Sequence, residues 1–536
     1  MKFNLNTLRE EKNLVIILLV ISFLLFFFRI GAPSFFETDE VIYSQLAREI
    51  RLTGDFITLH FHSENWFVHP PLFMWLVTLS SFIFGESEFN SRLWCALFGM
   101  ALVFVTYLLG KKMFKNGVGI LAGFILATSF QFIIQSRLAI FDVPLAFFTI
   151  LSVYFFFCWH RDRDKKYYYW FFAAMGLATL IKGPIGILLP MLVILPYLFL
   201  VKDLLSLFNR HIFIGAPLCF VIGGTWYLIE IILHGGVFFD QVIALYLVKR
   251  YTMVLGTHSG PWFYYFPVIL IGFMPWALFL PFSLTYQAKR TGDDNNLFVI
   301  MWFTIVFIFF SMAATKLPGY ILSLYPIMSI SVAKLLSDFA AGENSGLDKK
   351  IDWAYKSSFI LSMILLITGV ILRSVEAQPS LKLMFQDVGM MIIILGIGGI
   401  ASFVLFIKDK NIYNSVIALV VTMIFFTFYT ANYTMIHLDE FKPMRAISRK
   451  IISKYESGDK IIRYRTAGHK NSFVFYIDKP IIFVETKGQL VNALDTNRRV
   501  FLIAYREDYY NTIKRFQTSF YIIHKAGDLV LLSNYK

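Results

Sequence analysis

The chain is poor in charged residues and nearly devoid of cysteine. Only 16% of its 536 residues are charged, whereas 57% are hydrophobic and 18% are aromatic. The mean hydropathy of +0.64 lies far above that of a water-soluble domain. Its three cysteines, Cys95, Cys158 and Cys219, each lie within an apolar run. They predict small buried side chains and exclude a disulfide framework.

Nucleotide-binding signatures are also missing. Neither a G-x-G-x-x-G turn after a strand nor a G-x-x-x-x-G-K-[ST] loop occurs in the sequence. The sequence therefore shows no sign of a site for a soluble nucleotide. The net charge of +14 falls mostly as short basic clusters between apolar runs. That distribution is the pattern of membrane topology and argues against a nucleic-acid partner.

The apolar runs predict a polytopic α-helical membrane protein with about thirteen spans over residues 1–435. The first run is interpreted as a retained span because no cleavage site follows it. The predicted spans are residues 13–30, 92–110, 117–135, 142–158, 167–181, 184–201, 211–233, 263–286, 297–314, 319–338, 354–373, 388–407 and 412–431. A further run, Leu72–Phe84, is too short to cross and predicts an interfacial helix within the first outer loop, residues 31–91.

The basic clusters set the orientation, because they are expected in cytoplasmic loops. An odd number of spans then places residues 436–536 on the extracytoplasmic side of the membrane. This tail predicts a small α/β domain. Its expected strands are 460–464, 480–484, 500–504 and 529–532, and its expected helical stretches are 442–454 and 505–516.

With this topology, carboxylates and cations from five separate turns converge on the outer face. Each has an ordinary structural alternative. An ionisable residue at a span end often marks the interface, Asp142-Val-Pro fits a helix start, and Lys182-Gly-Pro fits a turn. These alternatives do not explain why the polar residues gather on one side.

Such a set suits the transfer of a group from a lipid-linked phosphate. Fixed cations stabilise the charge that develops on a departing phosphate, most strongly where water is sparse. Lys182, Arg250 and His69 suit that role, and Asp39, just after the first span, suits a general base toward an attacking hydroxyl.

The order of these motifs resembles that of the bacterial GT-C glycosyltransferases. The similarity is greatest to the branch of the aminoarabinose lipid A transferases, which is related to the protein O-mannosyltransferases. It rests on Glu37-Thr-Asp39-Glu40, His69-Pro70-Pro71-Leu72, Asp142-Val-Pro144, Lys182-Gly183-Pro184, His258-Ser-Gly-Pro-Trp262 and Lys316-Leu317-Pro318 with Tyr320.

The resemblance implies an inverting transfer from an undecaprenyl-phosphate sugar to an extracytoplasmic acceptor such as lipid A, another glycan or a protein. It also implies a location in the bacterial inner membrane, with the active site and residues 436–536 on the periplasmic side. It implies that Asp39 and Asp142 are catalytic carboxylates. The substrate-binding and donor-phosphate set that it implies is His69, Lys182, Arg250, Tyr320, Lys316, His258 and Glu40.

One motif departs from this family. The aminoarabinose transferases typically carry Glu-Lys before Pro-Pro-Leu, where this chain has Val68-His69. A metal-ligating carboxylate is thereby lost, and a permanent cation becomes an imidazole with an ordinary pKa near 6.5. No cofactor is certain; a divalent metal ion bound by Asp39 and His69 stays open, as does the aminoarabinose assignment.

Three other functions fit parts of the sequence. A transporter or flippase for lipid-linked sugars would place its ionisable residues near the midplane, often in inverted repeats, and neither feature is seen. An oligosaccharide polymerase or ligase would use similar chemistry on a larger donor. A non-catalytic scaffold would not need the aligned polar set.

Overall fold

The structure, a computed structural model, describes residues 5–36, 39–62, 64–242, 259–342, 347–466, 470–495, 498–515 and 520–535. Two regions are distinguished by their secondary structure. Residues up to about 440 are almost wholly helical, and a five-stranded sheet lies between residues 460 and 533.

The described residues of the first half of the chain form twelve helices. The helix Glu88–Met113 illustrates why they begin where they do: Ser87 caps it by accepting a hydrogen bond from the Asn90 amide at 3.2 Å. The helices are Leu5–Phe27, Asp39–Thr53, Leu72–Phe84, Glu88–Met113, Asn116–Ala127, Phe130–Ser136, Asp142–Asp162, Lys165–Lys182, Ile185–Leu200, Leu204–Leu207, Ile212–His234 and Gly236–Phe239.

The second half contains the longest helices. Much of the apolar surface of Leu347–Ser374 is exposed, as expected of a helix that faces lipid. The described helices are Tyr265–Gly272, Ala277–Phe279, Leu280–Ala288, Asp294–Met312, Pro318–Leu324, Tyr325–Ala340, Leu347–Ser374, Pro379–Asp409, Ile412–Tyr429, Thr430–Thr434, Met435–Leu438 and Asp439–Phe441; Ala277–Phe279, Pro318–Leu324 and Asp439–Phe441 are 3-10 turns, and Thr430–Thr434 is a π-helical turn.

The expected count of thirteen spans is not confirmed. Among the described residues, eight helices are long and apolar enough to cross a membrane, or nine if one bent pair is a single span. That pair, Asn116–Ala127 and Phe130–Ser136, is bent by 68° within the expected span 117–135. The expected span 263–286 is likewise broken, by the turn between Gly272 and Ala277. Apolar composition alone therefore did not reveal where the helices break.

The short helix Leu72–Phe84 forms over the residues that the sequence predicted. It begins after Pro71 and packs against the helix Asp39–Thr53, where the Thr78 hydroxyl donates to the Ala47 carbonyl at 2.8 Å. Its location at the membrane interface stays a prediction. A two-stranded hairpin, β1 (Leu59–Phe61) and β2 (Glu64–Trp66), precedes it in the first loop.

The C-terminal region forms the small α/β unit that the sequence predicted. Its sheet has the order β4-β3-β5-β7-β6, with β3 parallel to β4 and β5, and β7 antiparallel to both neighbours. The strands are β3 Lys460–Tyr464, β4 Ile481–Val484, β5 Val500–Tyr505, β6 Tyr521–Ala526 and β7 Leu529–Ser533, and the helices are Met444–Ile452, Lys470–Ile477, Lys487–Leu494 and Arg506–Asn511, followed by the 3-10 turn Ile513–Arg515.

The sheet unit packs on the first outer loop. The Arg48 guanidinium donates to the Phe475 carbonyl at 2.7 Å, and the Tyr476 hydroxyl donates to Glu88 at 3.0 Å. The C-terminal unit and the first loop therefore lie on one face of the protein. Which side of the membrane this face occupies stays a prediction.

A buried ion pair joins the first loop to the helical body. Arg92, 1% exposed, donates to both carboxylate oxygens of Glu40, 3% exposed, at 2.8 and 3.0 Å. The same guanidinium donates to the carbonyls of Ile30, Pro33 and Ser34. Burial of two charges is costly, so the pair depends on this complete set of partners.

Replacement of Arg92 by Met is expected to lower the free energy of unfolding by about 3–5 kcal/mol, because Glu40 is left buried without its cation. Thermal unfolding in detergent measures the loss. Arg163→Met is the matched control. Arg163 pairs with Asp203, but its side chain is 53% exposed, so this pair is expected to contribute only about 0–1 kcal/mol to the free energy of unfolding. Equal losses in the two variants would contradict the assignment.

Candidate active site

A salt bridge between Asp142 and Lys182 lies at the centre of the candidate site. Asp142 is the first residue of the helix Asp142–Asp162, and Lys182 is the last residue of Lys165–Lys182. The Lys182 ammonium lies 2.5 Å from Asp142 Oδ1, and the two side chains are 15% and 16% exposed. Two residues 40 positions apart in the sequence thus form one partly buried charged pair.

The 3-10 turn Pro318–Leu324 covers this pair. The Lys182 ammonium lies 5.1 Å from the centre of the Tyr320 ring, within cation–π range. Gly319 packs so closely on Asp142 that a Cβ added at this position would clash with Oδ2 of the carboxylate. The structure therefore brings together three predicted residues, Asp142, Lys182 and Tyr320.

Three further residues hold the turn in place, and two of them, Gln131 and Tyr325, were not singled out from the sequence. The Gln131 amide donates to the Pro318 carbonyl at 2.7 Å, and its oxygen accepts from the Tyr325 hydroxyl at 2.6 Å. The Tyr265 hydroxyl donates to the Leu317 carbonyl at 3.3 Å. The only available signal was the Pro-Gly pair, which marks a turn but does not identify its neighbours.

An aromatic cluster of Tyr43, His69, Phe73 and Phe141 lies between the helix Asp39–Thr53 and the start of the helix Asp142–Asp162. Tyr43 lies one turn after Asp39 in the helix Asp39–Thr53, and its ring is 3.9 Å from that of Phe141. Phe141 precedes Asp142, and its ring lies 4.7 Å from His69. Asp39 itself is exposed at the start of its helix, where the helix dipole favours a negative charge.

His69 is buried within this aromatic cluster, at 7% exposure. It contacts Tyr43 and Phe141 edge to face, with ring centres 6.0 and 4.7 Å apart. No group of three His, Cys, Asp or Glu side chains able to hold a metal ion occurs in the described parts of the chain. This observation does not test a metal ion bound by Asp39 and His69 alone, which stays a hypothesis.

Glu40, which was predicted to bind the substrate, is bonded to other groups of the protein. Both of its oxygens are bonded to Arg92, and they also accept from the backbone amides of Phe36 and Ala139 at 2.9 and 2.8 Å. Consecutive helix residues point about 100° apart, so Glu40 faces the core when Asp39 faces outward. The carboxylate is used to secure the loop.

Lys316 also has a backbone partner. Its ammonium, in a side chain that is 6% exposed, donates to the Ala313 carbonyl at 2.5 Å, just after the helix Asp294–Met312 ends. Its predicted contact with the substrate stays a prediction. Arg250 and His258, both predicted to bind the donor, lie outside the described residues. The three cysteines are buried and unbridged, as expected.

A second polar cluster, unpredicted from the sequence, lies at the hairpin. The Thr58 hydroxyl is 3.3 Å from Glu230 and 3.0 Å from the His234 ring nitrogen. Nearby, Asp55 pairs with His60 at 3.1 Å. Burial raises the pKa of Asp55, but hydrogen bonds from His60 and from two backbone amides outweigh it, so this pKa lies below its ordinary value.

The sequence of this chain matches a known protein family and several relatives. The family described as dolichyl-phosphate-mannose-protein mannosyltransferase matches residues 68–228. A protein from Aquifex aeolicus is 26% identical over 88% of this chain and 88% of its own length, and a second from the same organism is 31% identical over 61% and 74%. An undecaprenyl phosphate-alpha-4-amino-4-deoxy-L-arabinose arabinosyl transferase from Pseudomonas fluorescens is 29% identical over 61% of this chain and 60% of its own length.

Solved structures share the fold. ArnT from Cupriavidus metallidurans, solved with undecaprenyl phosphate, superposes with a TM-score of 0.82 at 19% identity, over 97% of this chain and 98% of that chain. The archaeal oligosaccharyltransferase AglB from Archaeoglobus fulgidus superposes with a TM-score of 0.54 at 12% identity, over 95% and 71%. The first match includes the C-terminal unit as well as the helices.

Replacement of Gly319 by Ala is expected to lower turnover at least about tenfold, because the new methyl group would displace the Asp142 carboxylate from Lys182. The assay is steady-state turnover of the purified protein. Gly292→Ala is the control, since nothing lies within 4 Å of a Cβ there. Wild-type turnover in Gly319→Ala would show that the close packing on Asp142 is unimportant.

Proposed function

Since the chain is a GT-C membrane glycosyltransferase that resembles the aminoarabinose transferases and the protein mannosyltransferases, we propose that it moves one sugar from an undecaprenyl-phosphate donor to an extracytoplasmic acceptor. Lipid A, another glycolipid or glycan, and a protein are the acceptor classes. The observation that carries this proposal is the Asp142–Lys182 pair beneath Tyr320.

Lys182 is suited to the donor phosphate. An ammonium has three donors, and the salt bridge to Asp142 uses one of them. The other two can stabilise the charge that grows on the phosphate as it departs, and partial burial strengthens this effect. Asp142 then serves to orient Lys182, and Arg250 is the second cation proposed for the phosphate.

Asp39 is the proposed general base. It takes the proton from the acceptor hydroxyl, whose oxygen forms a bond to the anomeric carbon from the face opposite the phosphate. The bond from that carbon to the phosphate oxygen breaks, and its electron pair leaves with undecaprenyl phosphate. The transfer is therefore an inverting one, and general-base catalysis contributes roughly 10² to 10⁴ to its rate.

Tyr320 and His69 are two further residues proposed for the donor. Tyr320 lies against Lys182, and His69 lies against the residue that precedes Asp142. We propose that both contact the donor, Tyr320 near its phosphate and His69 as a hydrogen-bond donor to it. Because Val68-His69 replaces the Glu-Lys that is typical of the aminoarabinose transferases, the proposal names the donor only as a lipid-linked sugar and does not specify aminoarabinose.

Replacement of Asp39 by Asn is expected to lower transfer by at least about a hundredfold without loss of folding, because the amide cannot accept the proton. Mass spectrometry of the acceptor, with purified lipid-linked donor, measures the product. Asp348→Asn is the control, since Asp348 is an exposed aspartate in the first turn of a helix far along the chain. Near-normal turnover of Asp39→Asn would refute the role of base.

Replacement of Lys182 by Met is expected to lower kcat/KM more than about tenfold, which is the effect of losing about 1.4 kcal/mol of transition-state stabilisation. Lys334→Met is the control, because Lys334 also pairs with an aspartate, at 2.7 Å, and is 18% exposed. Arg250→Ala is expected to behave like Lys182→Met. Unchanged kcat/KM in both site variants would contradict the phosphate role, and movement of an intact donor without transfer would favour a flippase.

A further inference from the structure

The segment of residues 30–36, here called the approach segment, leads directly to Asp39 and has no regular secondary structure beyond its first turn. Backbone groups in such a segment need partners, since an unpaired buried amide or carbonyl is costly. Side chains supply most of these partners here. They come from two distant parts of the chain.

The helical body supplies one set. Arg92 donates to the carbonyls of Ile30, Pro33 and Ser34 at 2.9, 2.8 and 3.1 Å. Glu40 accepts from the Phe36 amide at 2.9 Å. This set fixes the segment from the side of the membrane helices.

The C-terminal region supplies the other set. Asp439 accepts from the Ser34 amide at 3.0 and 3.1 Å, through its two carboxylate oxygens, and from the Ser34 hydroxyl at 2.8 Å. Tyr476 accepts from the Phe35 amide at 2.9 Å and donates to Glu88 at 3.0 Å. The contacts to Ser34 and Phe35 join residues more than 400 positions apart.

Two cations complete this second set. Lys442 donates to the Ser34 carbonyl at 3.0 Å, and its ammonium lies 4.0 Å from the centre of the Phe36 ring. Arg445 donates to the Ala32 carbonyl at 2.7 Å. Phe35 is 2% exposed and packs edge to face on Phe475 at 5.0 Å. The approach segment is thus held by apolar as well as polar contacts.

We propose that Asp439 and Tyr476 are positioning residues, through which the C-terminal region fixes the approach segment and thereby the place of Asp39 in the active site. This inference rests on the proposed role of Asp39 as base. Neither residue contacts the Asp142–Lys182 pair in the described structure, so their effect is expected on kcat and not on the affinity for the donor. A misplaced catalytic group can lower turnover by on the order of a hundredfold.

The first test measures the position of the segment. Hydrogen exchange by mass spectrometry on the full-length protein in detergent follows peptides that cover residues 30–36. Tyr476→Phe removes the acceptor of the Phe35 amide, so exchange there should become faster. Tyr510→Phe, at a tyrosine that is 53% exposed, should leave it unchanged. Unaltered exchange in Tyr476→Phe would overturn the proposal.

The second test measures catalysis on the same proteins. Tyr476→Phe is expected to lower kcat about tenfold or more, with KM for the donor changed less than about twofold. Asp439→Ala should do the same, and Asp439→Asn, which keeps one acceptor oxygen for Ser34, should recover part of the loss. Asp495→Ala, at an exposed aspartate of the C-terminal region, is the matched control. Faster exchange with unchanged kcat would overturn the proposal.

A third measurement separates this inference from the proposed function. If Tyr476 acts only through Asp39, Tyr476→Phe should have little further effect on the residual rate of Asp39→Asn. Full and independent losses in the double variant would overturn the positioning role. A fully active Asp39→Asn protein would instead refute the role of base, while the exchange data would still report whether the C-terminal region holds the segment.

Discussion

The ion pair between Arg92 and Glu40 is the contact on which the rest of the site depends. It lies where the first outer loop enters the helical body, and the Arg92 guanidinium bonds three backbone carbonyls in addition to its carboxylate. Two buried charges are unfavourable unless every polar atom finds a partner. The loop can therefore take this path only with the pair complete, and the path determines where the helix Asp39–Thr53 begins.

The candidate site is formed by residues at the ends of helices and at the breaks between helices. Asp39 and Asp142 begin helices, Lys182 ends one, and Tyr320 lies in a 3-10 turn. Ends and breaks expose polar groups that a continuous helix would satisfy internally. In a bundle whose helix surfaces are mostly apolar, these are the places where charged side chains can meet a phosphate.

The sequence predicted the membrane class, the short helix Leu72–Phe84 and four of the five strands of the C-terminal sheet. Strand β3 forms over the expected residues, Lys460–Tyr464, because its apolar pattern is short and is followed by a turn. Strand β6 was missed, because Tyr521–Ala526 contains a lysine and a histidine and is only partly buried. The broken helices were missed because a bend leaves apolar composition unchanged.

The site was predicted in part. Lys182 contacts both Asp142 and Tyr320 in the structure. The three residues could be predicted because each lies at the end of an apolar run, and such ends can be recognised in a sequence. The role of Glu40 was not recognisable, since its partner Arg92 lies 52 positions away. The same holds for Gln131, which supports the turn at Pro318 over 187 positions. Long-range contacts of this kind carry no local signal.

The two sets of contacts on residues 30–36 have a consequence for the order in which the protein matures. The segment is synthesised before Asp439 and Tyr476, which follow its residues by more than 400 positions. Proteins of this size fold largely as they emerge, from the N-terminus onward. The helices between residue 36 and Asp439 can thus be inserted while the approach segment still lacks its final partners. Membrane insertion would in that case be complete before the protein becomes competent to consume its lipid-linked substrate.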